Sequence, residues 1–516
     1  MVLAGALSMM EASAAADLTI GVALEPGSLD PHLIWTPGNT QLSVQIFGTL
    51  TRMDADGRVQ PGLAKSWDVV DGRHWRFRLD PLAKFSNGTP VTATDVVASL
   101  ERARDLPNGT FRGIFANIEK LEAEDAHTVL VRAKEPQPTI PAYFSVLAIL
   151  PADRIAHARS QDFADPAFSL SSGPYQLKQF VPGDRIVMTR NPYYAGPKPE
   201  WDNVTMRFLT DSAARIAALL SGQIDVADGL TPEDAQELRR RGGFNVVSRP
   251  SARTVYMTFD LSRDVTPQVT ALDGSPLASN PFKDIRVRQA MTMAVNRQGI
   301  INSILLGQGV PMNQISAPAL QGYNRDMPAL TYDPEKAKAL LAEAGYPKGF
   351  ALTVTCMSGR LVDDAQICQA LGQMLARIGL KTTVDVQPYS ILVTKATCHC
   401  DRRPSFFMST WSSAVVGETS MALTSVLHSY NKATAEGLWN LGDYVNPEVD
   451  RLIDEATPIM DNAERFRRQA EIMKLAMKDL PVLPLHIQNS AMAARKGLMP
   501  TIFVNETTMA DGVHPE

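Results

Sequence analysis

The chain has 516 residues, 45% of them apolar, with 50 basic and 55 acidic side chains and a formal net charge of −5. A single hydrophobic core stops growing at about 250–300 residues, so at least two lobes are expected. The near-balance of charge, with no block of one sign, excludes the electrostatic footprint of a nucleic-acid-binding protein.

From the N-terminus, the apolar run 2–10 leads into Ala12-Ser13-Ala14-Ala15-Ala16, small residues of the kind a signal peptidase cuts after. Residues 1–16 are therefore predicted to be a secretory signal, although no Lys or Arg precedes the run and Glu11 interrupts it. No cysteine follows the run, so no lipid anchor is indicated. No other stretch reaches the ~18 apolar residues of a membrane span.

Residues 18–24 then read as a buried strand, and Glu25-Pro26-Gly27-Ser28-Leu29-Asp30-Pro31 turns the chain out of it. His74–Leu79 alternates strictly and predicts a strand with one buried face. Asn87-Gly88 leads to a helix whose N-cap is Thr92 or Thr94. Amphipathic helices are predicted over 288–306, Pro334–Glu343 and 365–378, the last with Ile367, Leu371, Met374, Leu375 and Ile378 on one face. Strands alternating with such helices are what an α/β protein with open sheets requires, and they support that architecture without settling it.

Residues 406–427 hold the most suggestive pattern. Phe406-Phe407-Met408 is short and β-compatible, and it runs into Ser409-Thr410-Trp411-Ser412-Ser413, where an indole stands among small hydroxyls. Either a strand end opens into a ligand cavity, or a core tryptophan precedes an ordinary polar loop.

The four cysteines divide into two pairs. Cys356 ends the strand 350–355 and Cys368 lies in the following helix, so oxidation on export would staple strand to helix. In Cys398-His399-Cys400 the one-residue spacing disfavours a mutual bridge and predicts free thiols or an exposed, labile bond. A metal there would lack the second ligand pair of a structural zinc site. His428, beyond the tryptophan stretch, is either a core or solvated histidine or a ligand contact. No nucleophile elbow, His-Glu-x-x-His helix or Walker loop appears, so a secreted hydrolase or metalloenzyme is the distant alternative to a binding protein. No cofactor is expected.

A series of short motifs occurs in order along the chain: Ser28-Leu29-Asp30-Pro31, then Pro61-Gly62-Leu63-Ala64-Lys65-Ser66-Trp67, Trp75-Arg76-Phe77-Arg78-Leu79 and Phe85-Ser86-Asn87-Gly88-Thr89-Pro90-Val91. Further on come Gly173-Pro174-Tyr175, Arg190-Asn191-Pro192-Tyr193-Tyr194, Ser221-Gly222-Gln223-Ile224-Asp225, Asp284-Ile285-Arg286-Val287-Arg288-Gln289-Ala290 and Tyr332-Asp333-Pro334-Glu335. Together they resemble the large periplasmic solute-binding proteins of the peptide- and nickel-binding family, which serve ABC importers. The resemblance implies a two-lobe periplasmic-binding-protein fold of type II with an extra subdomain, joined by a two-strand hinge. The first lobe would comprise 17–50, 170–258 and 486–516, the inserted subdomain 51–169 and the second lobe 259–485. The crossings would lie at 256–260 and 481–485.

It also implies a periplasmic monomer that captures a small solute, in the first instance a short peptide, and hands it to the importer's permease subunits. The alternatives are a metal chelate or haem-like group, an opine, or another small organic anion. In dipeptide-binding relatives an arginine past a second-lobe strand takes the ligand carboxylate, and an aspartate three residues after a strand-end tryptophan takes the ammonium. Arg360 matches the first position. Ala414 stands at the second, with Glu418 the nearest carboxylate that could replace the missing one. The expected pocket is Arg360, Thr410, Trp411, Ser412, Ser413 and Glu418, facing Glu25 and Asp30 from the first lobe.

Overall fold

The computed structural model describes residues 16–516, so the predicted signal lies outside the described residues apart from Ala16. Two long antiparallel strands, Phe244–Phe259 and Val482–Arg495, lie side by side and run through both lobes. From Val482–Arg495 the sheet continues through Val226–Ala227, Asp17–Val22, Asn203–Phe208, Arg185–Arg190 and Tyr175–Val181, the first lobe. From Phe244–Phe259 it continues through Phe406–Ser412, Ala351–Ser358 and Lys381–Pro388, the second. Helix Asp364–Ala376 connects the parallel pair Ala351–Ser358 and Lys381–Pro388, burying Ile367, Leu371 and Leu375 completely, the face its periodicity predicts.

The register of the two long strands breaks where the lobes meet. Pairing is regular from Phe244 opposite Arg495 to Pro250 opposite Asn489, and resumes only at Thr254 opposite Ile487. A second shift follows between Val255, opposite His486, and Tyr256, opposite Pro484, next to the crossings expected at 256–260 and 481–485. Pro250 has no N–H to give the ladder, and Ser251 and Arg253 turn their side chains to a partner outside the sheet.

A separate antiparallel sheet, ordered Ala64–Val69, His74–Leu79, Thr128–Ala133, Ile118–Ala123, packs under helix Ala93–Asp105. Trp75, Phe77 and Leu79 are its buried face, as the alternation predicts. Thr92 is the N-cap: its hydroxyl accepts from Asp95 N, and the Asp95 carboxylate accepts from Thr92 N, a reciprocal cap typically worth about 1 kcal/mol. The helix expected over 288–306 is instead two, Ile285–Met293 and Arg297–Ser303. Between them the Asn296 side chain accepts from Gly299 N at 2.8 Å and caps a new start, the local competition that makes asparagine a poor helix-interior residue.

Cys356 and Cys368 are bridged and fully buried, stapling strand to helix. Contrary to expectation, Cys398 and Cys400 are bridged to each other, with Cα atoms 5.2 Å apart. The intervening His399 takes a left-handed conformation, φ 45°, which folds the tripeptide back on itself. Its ring is stacked 3.7 Å from that of Tyr430, an anchor the spacing could not reveal.

Candidate functional site

Strand Phe406–Ser412 runs antiparallel to Phe244–Phe259 in unbroken register, which sets Trp411 opposite Thr254 and Ser412 opposite Arg253, at the lobe junction. The Thr410 hydroxyl donates to Thr254 O at 2.9 Å and the Thr254 hydroxyl to Trp411 O at 3.1 Å, locking the strand end. Trp411 is half-buried; its Nε1 donates to Ser413 Oγ at 3.0 Å and its ring packs against Trp439, centroids 5.7 Å apart. The predicted indole with flanking hydroxyls therefore sits as a preorganised aromatic wall.

Charge gathers beside it. Arg253 makes a forked ion pair with Glu506, from the C-terminal tail, and Ser251 Oγ donates to the same carboxylate at 3.0 Å. Arg360, on the loop after Ala351–Ser358, comes near this pair, its guanidinium 5.9 Å from the Tyr389 ring centroid. Burial lowers the Arg360 pKa and the Arg253 charge lowers it further, while Glu506 and Tyr389 pull the other way. Burial pushes the Glu506 carboxyl up, but Arg253, with Arg360 and Ser251, outweighs it and holds the group below the usual carboxylate range. Arg253 thus holds the one carboxylate, and the Arg360 guanidinium, within reach of both charges, has no ion-pair partner of its own among the described residues. Such a fork is suited to an anionic group on a ligand.

The loop is tied down at several points. Arg360 N and Leu361 N both donate to the Asp364 carboxylate at 3.2 Å, and Val362 N donates to Gln488 Oε1, on the crossing strand, at 3.3 Å. The loop carrying Arg360 is therefore coupled to the hinge.

The other predicted contacts are differently engaged. Asp30 is fully buried in a bidentate pair with Arg102, at 2.8 and 2.7 Å, and also accepts from Ser160 Oγ and His32 N. It joins the strand exit to the inserted subdomain and does not face the junction. Glu25 is exposed and accepts from Gly183 N at the turn of the hairpin on the outer edge of the first-lobe sheet. Glu418 is buried and consumed by Arg465, at 2.8 Å, and by Gln469, at 3.0 Å. It cannot stand in for the carboxylate missing at Ala414 without stranding Arg465.

The lobes touch in this structure. Tyr143, from the inserted part, has its hydroxyl pKa raised to about 12 by burial and then by the Glu418 charge across the junction. Val415 and Met460 pack against the inserted subdomain's core. Gly417, at φ 68°, lies so close that a β-carbon there would come within 2.1 Å of Gly57 O. A cavity of about 430 Å³ lies elsewhere, between the first lobe and the inserted subdomain. Phe503, Asn505, Thr507 and Met509 form one of its walls, on the far side of the tail segment from which Glu506 reaches Arg253.

A model of the bacterial extracellular solute-binding proteins, family 5 (middle region), matches residues 58–434. The chain belongs to this family. Family 5 proteins are the solute-binding components of ABC importers, binding proteins rather than enzymes. Among curated relatives of this family member, the glutathione-binding protein GsiB of Escherichia coli K12 and that of Salmonella typhi are each 27% identical over 504 residues, 96% of this chain and 94% of theirs. Among solved structures, the binding protein AgaA of A. tumefaciens R10 in complex with agropinic acid superposes with a TM-score of 0.75 at 25% identity, over 97% of this chain and 99% of that one. The Helicobacter pylori DppA complexed with the peptide STSA does so at 0.76 and 22%, over 97% and 98%, a likeness of fold.

Arg253, Glu506, Tyr389 and Trp439 are the site residues that sequence reasoning missed. One signal was available for Arg253, a cation inside a β-compatible run that also carries Arg249. Glu506 is more than 250 positions away from its partner and carries no local mark.

Proposed function

We propose that this family 5 protein works in the periplasm as a monomer, captures a small carboxylate-bearing solute between its lobes, and delivers it to an ABC permease without turnover. In this reading the lobes divide at 17–50, 170–258 and 486–516 against 259–485, and the two long strands bend over their irregular stretch at 250–256. The observation that carries the reading is the Arg253–Glu506–Arg360 cluster, two guanidinium groups against one carboxylate beside a half-buried indole. Arg360 is the anion anchor, Trp411 with Trp439 the apolar wall, and Thr410, Ser412 and Ser413 the polar frame around it. A short anionic peptide is the ligand class favoured by the family and by relatives named for glutathione. A second reading, an opine-like anion without a free amine, is favoured by Ala414 together with the internal use of Glu418.

Native mass spectrometry of the purified protein, followed by calorimetry with glutathione, dipeptides, N-acetylated dipeptides and an opine such as agropinic acid, tests this. Tight binding of an anion with loss on Arg360→Ala supports the reading. Binding only of neutral or cationic solutes, or measurable hydrolysis of the bound one, overturns it. Equal affinity for acetylated and free peptides selects the amine-independent form.

A further inference from the structure

His428 follows the helical stretch Leu423–Leu427, and Asp450 and Asp454 face it from one side of helix Pro447–Ala456. Glu436 comes from the loop between them, where its backbone pairs with Asn431. His428 Nε2 is buried and has no hydrogen-bond partner, in a residue only 7% exposed. Its other ring nitrogen, Nδ1, lies 2.8 Å from Ser429 O. A carbonyl can only accept, so Nδ1 carries a proton, and in the neutral ring Nε2 is a bare lone pair. That lone pair looks at Asp454 Oδ1, 3.3 Å away. Two acceptors facing each other repel unless something positive lies between them.

A second ring proton or a bound cation would meet that need, and no Lys or Arg among the described residues does so. None of Glu436, Asp450 and Asp454 is paired with Lys or Arg among the described residues, and Asp450 is occupied in accepting from Ser429 N at 2.9 Å. One donor atom each from His428, Glu436 and Asp454 lies within 4.8 Å of the others. We propose that His428, Glu436 and Asp454 form a site for a divalent first-row transition metal of the zinc class, held by protein side chains within the second lobe. One imidazole nitrogen with two carboxylate oxygens is a borderline donor set that suits such ions. Donors at about 2.1 Å from a tetrahedral ion stand about 3.4 Å apart, close to the His428–Asp454 separation. The 4.8 Å limit on the donor separations exceeds this tetrahedral spacing by about 1.4 Å, so closing Glu436 onto the ion needs at most about that much side-chain movement. The Nδ1 contact with a backbone carbonyl is the outer-shell bond that fixes the tautomer of metal-binding histidines. Asp454 is exposed on its other side, which leaves a coordination position to water.

The ion would brace the aromatic wall of the cleft. Asn440 Nδ2 donates to His428 O at 3.0 Å and Trp439 N to Ser425 O at 2.8 Å, so the segment from His428 to Asn440 is the strap that presses Trp439 on Trp411. All three donors lie in one lobe, so occupancy does not depend on closure.

The test uses untagged full-length protein stripped with chelator, titrated with Zn²⁺ by calorimetry and assayed for bound zinc by elemental analysis. Wild type is expected to take up one equivalent, and His428→Gln, Asp454→Asn and Glu436→Gln each to lose about tenfold or more in affinity. Asp454→Asn alters an exposed group, so its result stands even if the buried His428→Gln fails to fold. No saturable zinc uptake by wild type overturns the site and leaves His428 as the protonated partner of Asp454. Stoichiometric zinc that survives Asp454→Asn and Glu436→Gln but is lost with Arg360→Ala overturns it too, placing the metal in the interlobe cleft.

Discussion

Arg253 and Arg360 look interchangeable by type, yet their partners make them opposites. Arg253 neutralises Glu506; Arg360 is the surplus. Arg360→Ala should therefore leave the Arg253–Glu506 pair intact and thermal stability unchanged, while weakening an anionic ligand by about 2–5 kcal/mol. Arg253→Ala strands a carboxylate and should cost folding stability as well. Calorimetry and thermal denaturation on the two variants separate these outcomes. Two histidines set a pH response. His32 Nε2 donates to Ala148 O at 2.8 Å while Nδ1 accepts from Arg102, leaving no place for a second proton, and burial lowers its pKa to about 4. His486 is lowered to about 4 by burial alone. For a histidine whose folded pKa is depressed, the unfolded chain binds the extra proton first. The stabilising contribution is complete above the unfolded value near 6.5 and is lost as pH falls through that value toward the folded one. Each contributes at most on the order of 3 kcal/mol by this route. The melting temperature should fall from pH 7 to pH 4.5, and less steeply in His32→Gln; an identical slope in that variant would remove His32 from the explanation.

Elements whose stability is written locally were the legible ones. Helix Pro334–Glu343 begins at a proline behind Asp333, whose side chain caps Lys336 N, and it appears with the predicted bounds. Strand His74–Leu79 likewise follows from its own alternation. The charge cluster was not legible because each group depends on a distant partner: Glu506 for Arg253, and Arg465 for Glu418. Of the expected pocket, Thr410 to Ser413 lie at the lobe junction, whereas Asp30 and Glu418 are each held by a buried arginine, since a sequence shows that an acid exists but not whether an arginine already holds it. The two disulfides differ for an equally concrete reason. Cys356–Cys368 closes a loop of 12 residues' separation and is buried, so removing it should cost about 3 kcal/mol on the loop-entropy account. Cys398–Cys400 closes almost no loop and is half-exposed, so its removal should cost much less. Timed alkylation under mild reductant should label Cys398 and Cys400 first, and Cys356 and Cys368 only on unfolding. Simultaneous labelling of all four would contradict this ordering.

At the scale of the whole molecule, binding and closure are one equilibrium, because a ligand held by residues of both lobes is bound tightly only when they meet. The irregular segment at 250–254 gives the two long strands a place to bend without breaking either core, and the Arg360 loop is tied to Gln488 on the second of those strands. The closed state has a contact that can be attacked without touching the ligand. At Gly417 a single added β-carbon would meet Gly57 O at 2.1 Å, a backbone atom that cannot rotate away, whereas in an opened molecule that space is free. Gly417→Ala should therefore raise the free energy of closure by about 1–3 kcal/mol, the usual cost of overpacking, and should separately lower fold stability by about 1 kcal/mol through its left-handed backbone. Since apparent affinity scales with the closed population, every ligand should weaken by a similar factor whatever its charge. Arg360→Ala, by contrast, should discriminate by charge. Small-angle scattering on saturated samples makes the distinction direct. Gly417→Ala should keep a larger radius of gyration than wild type at equal ligand concentration and approach it only with excess ligand. A variant that closes as readily as wild type would show that the Gly57–Gly417 approach is not part of the closed interface.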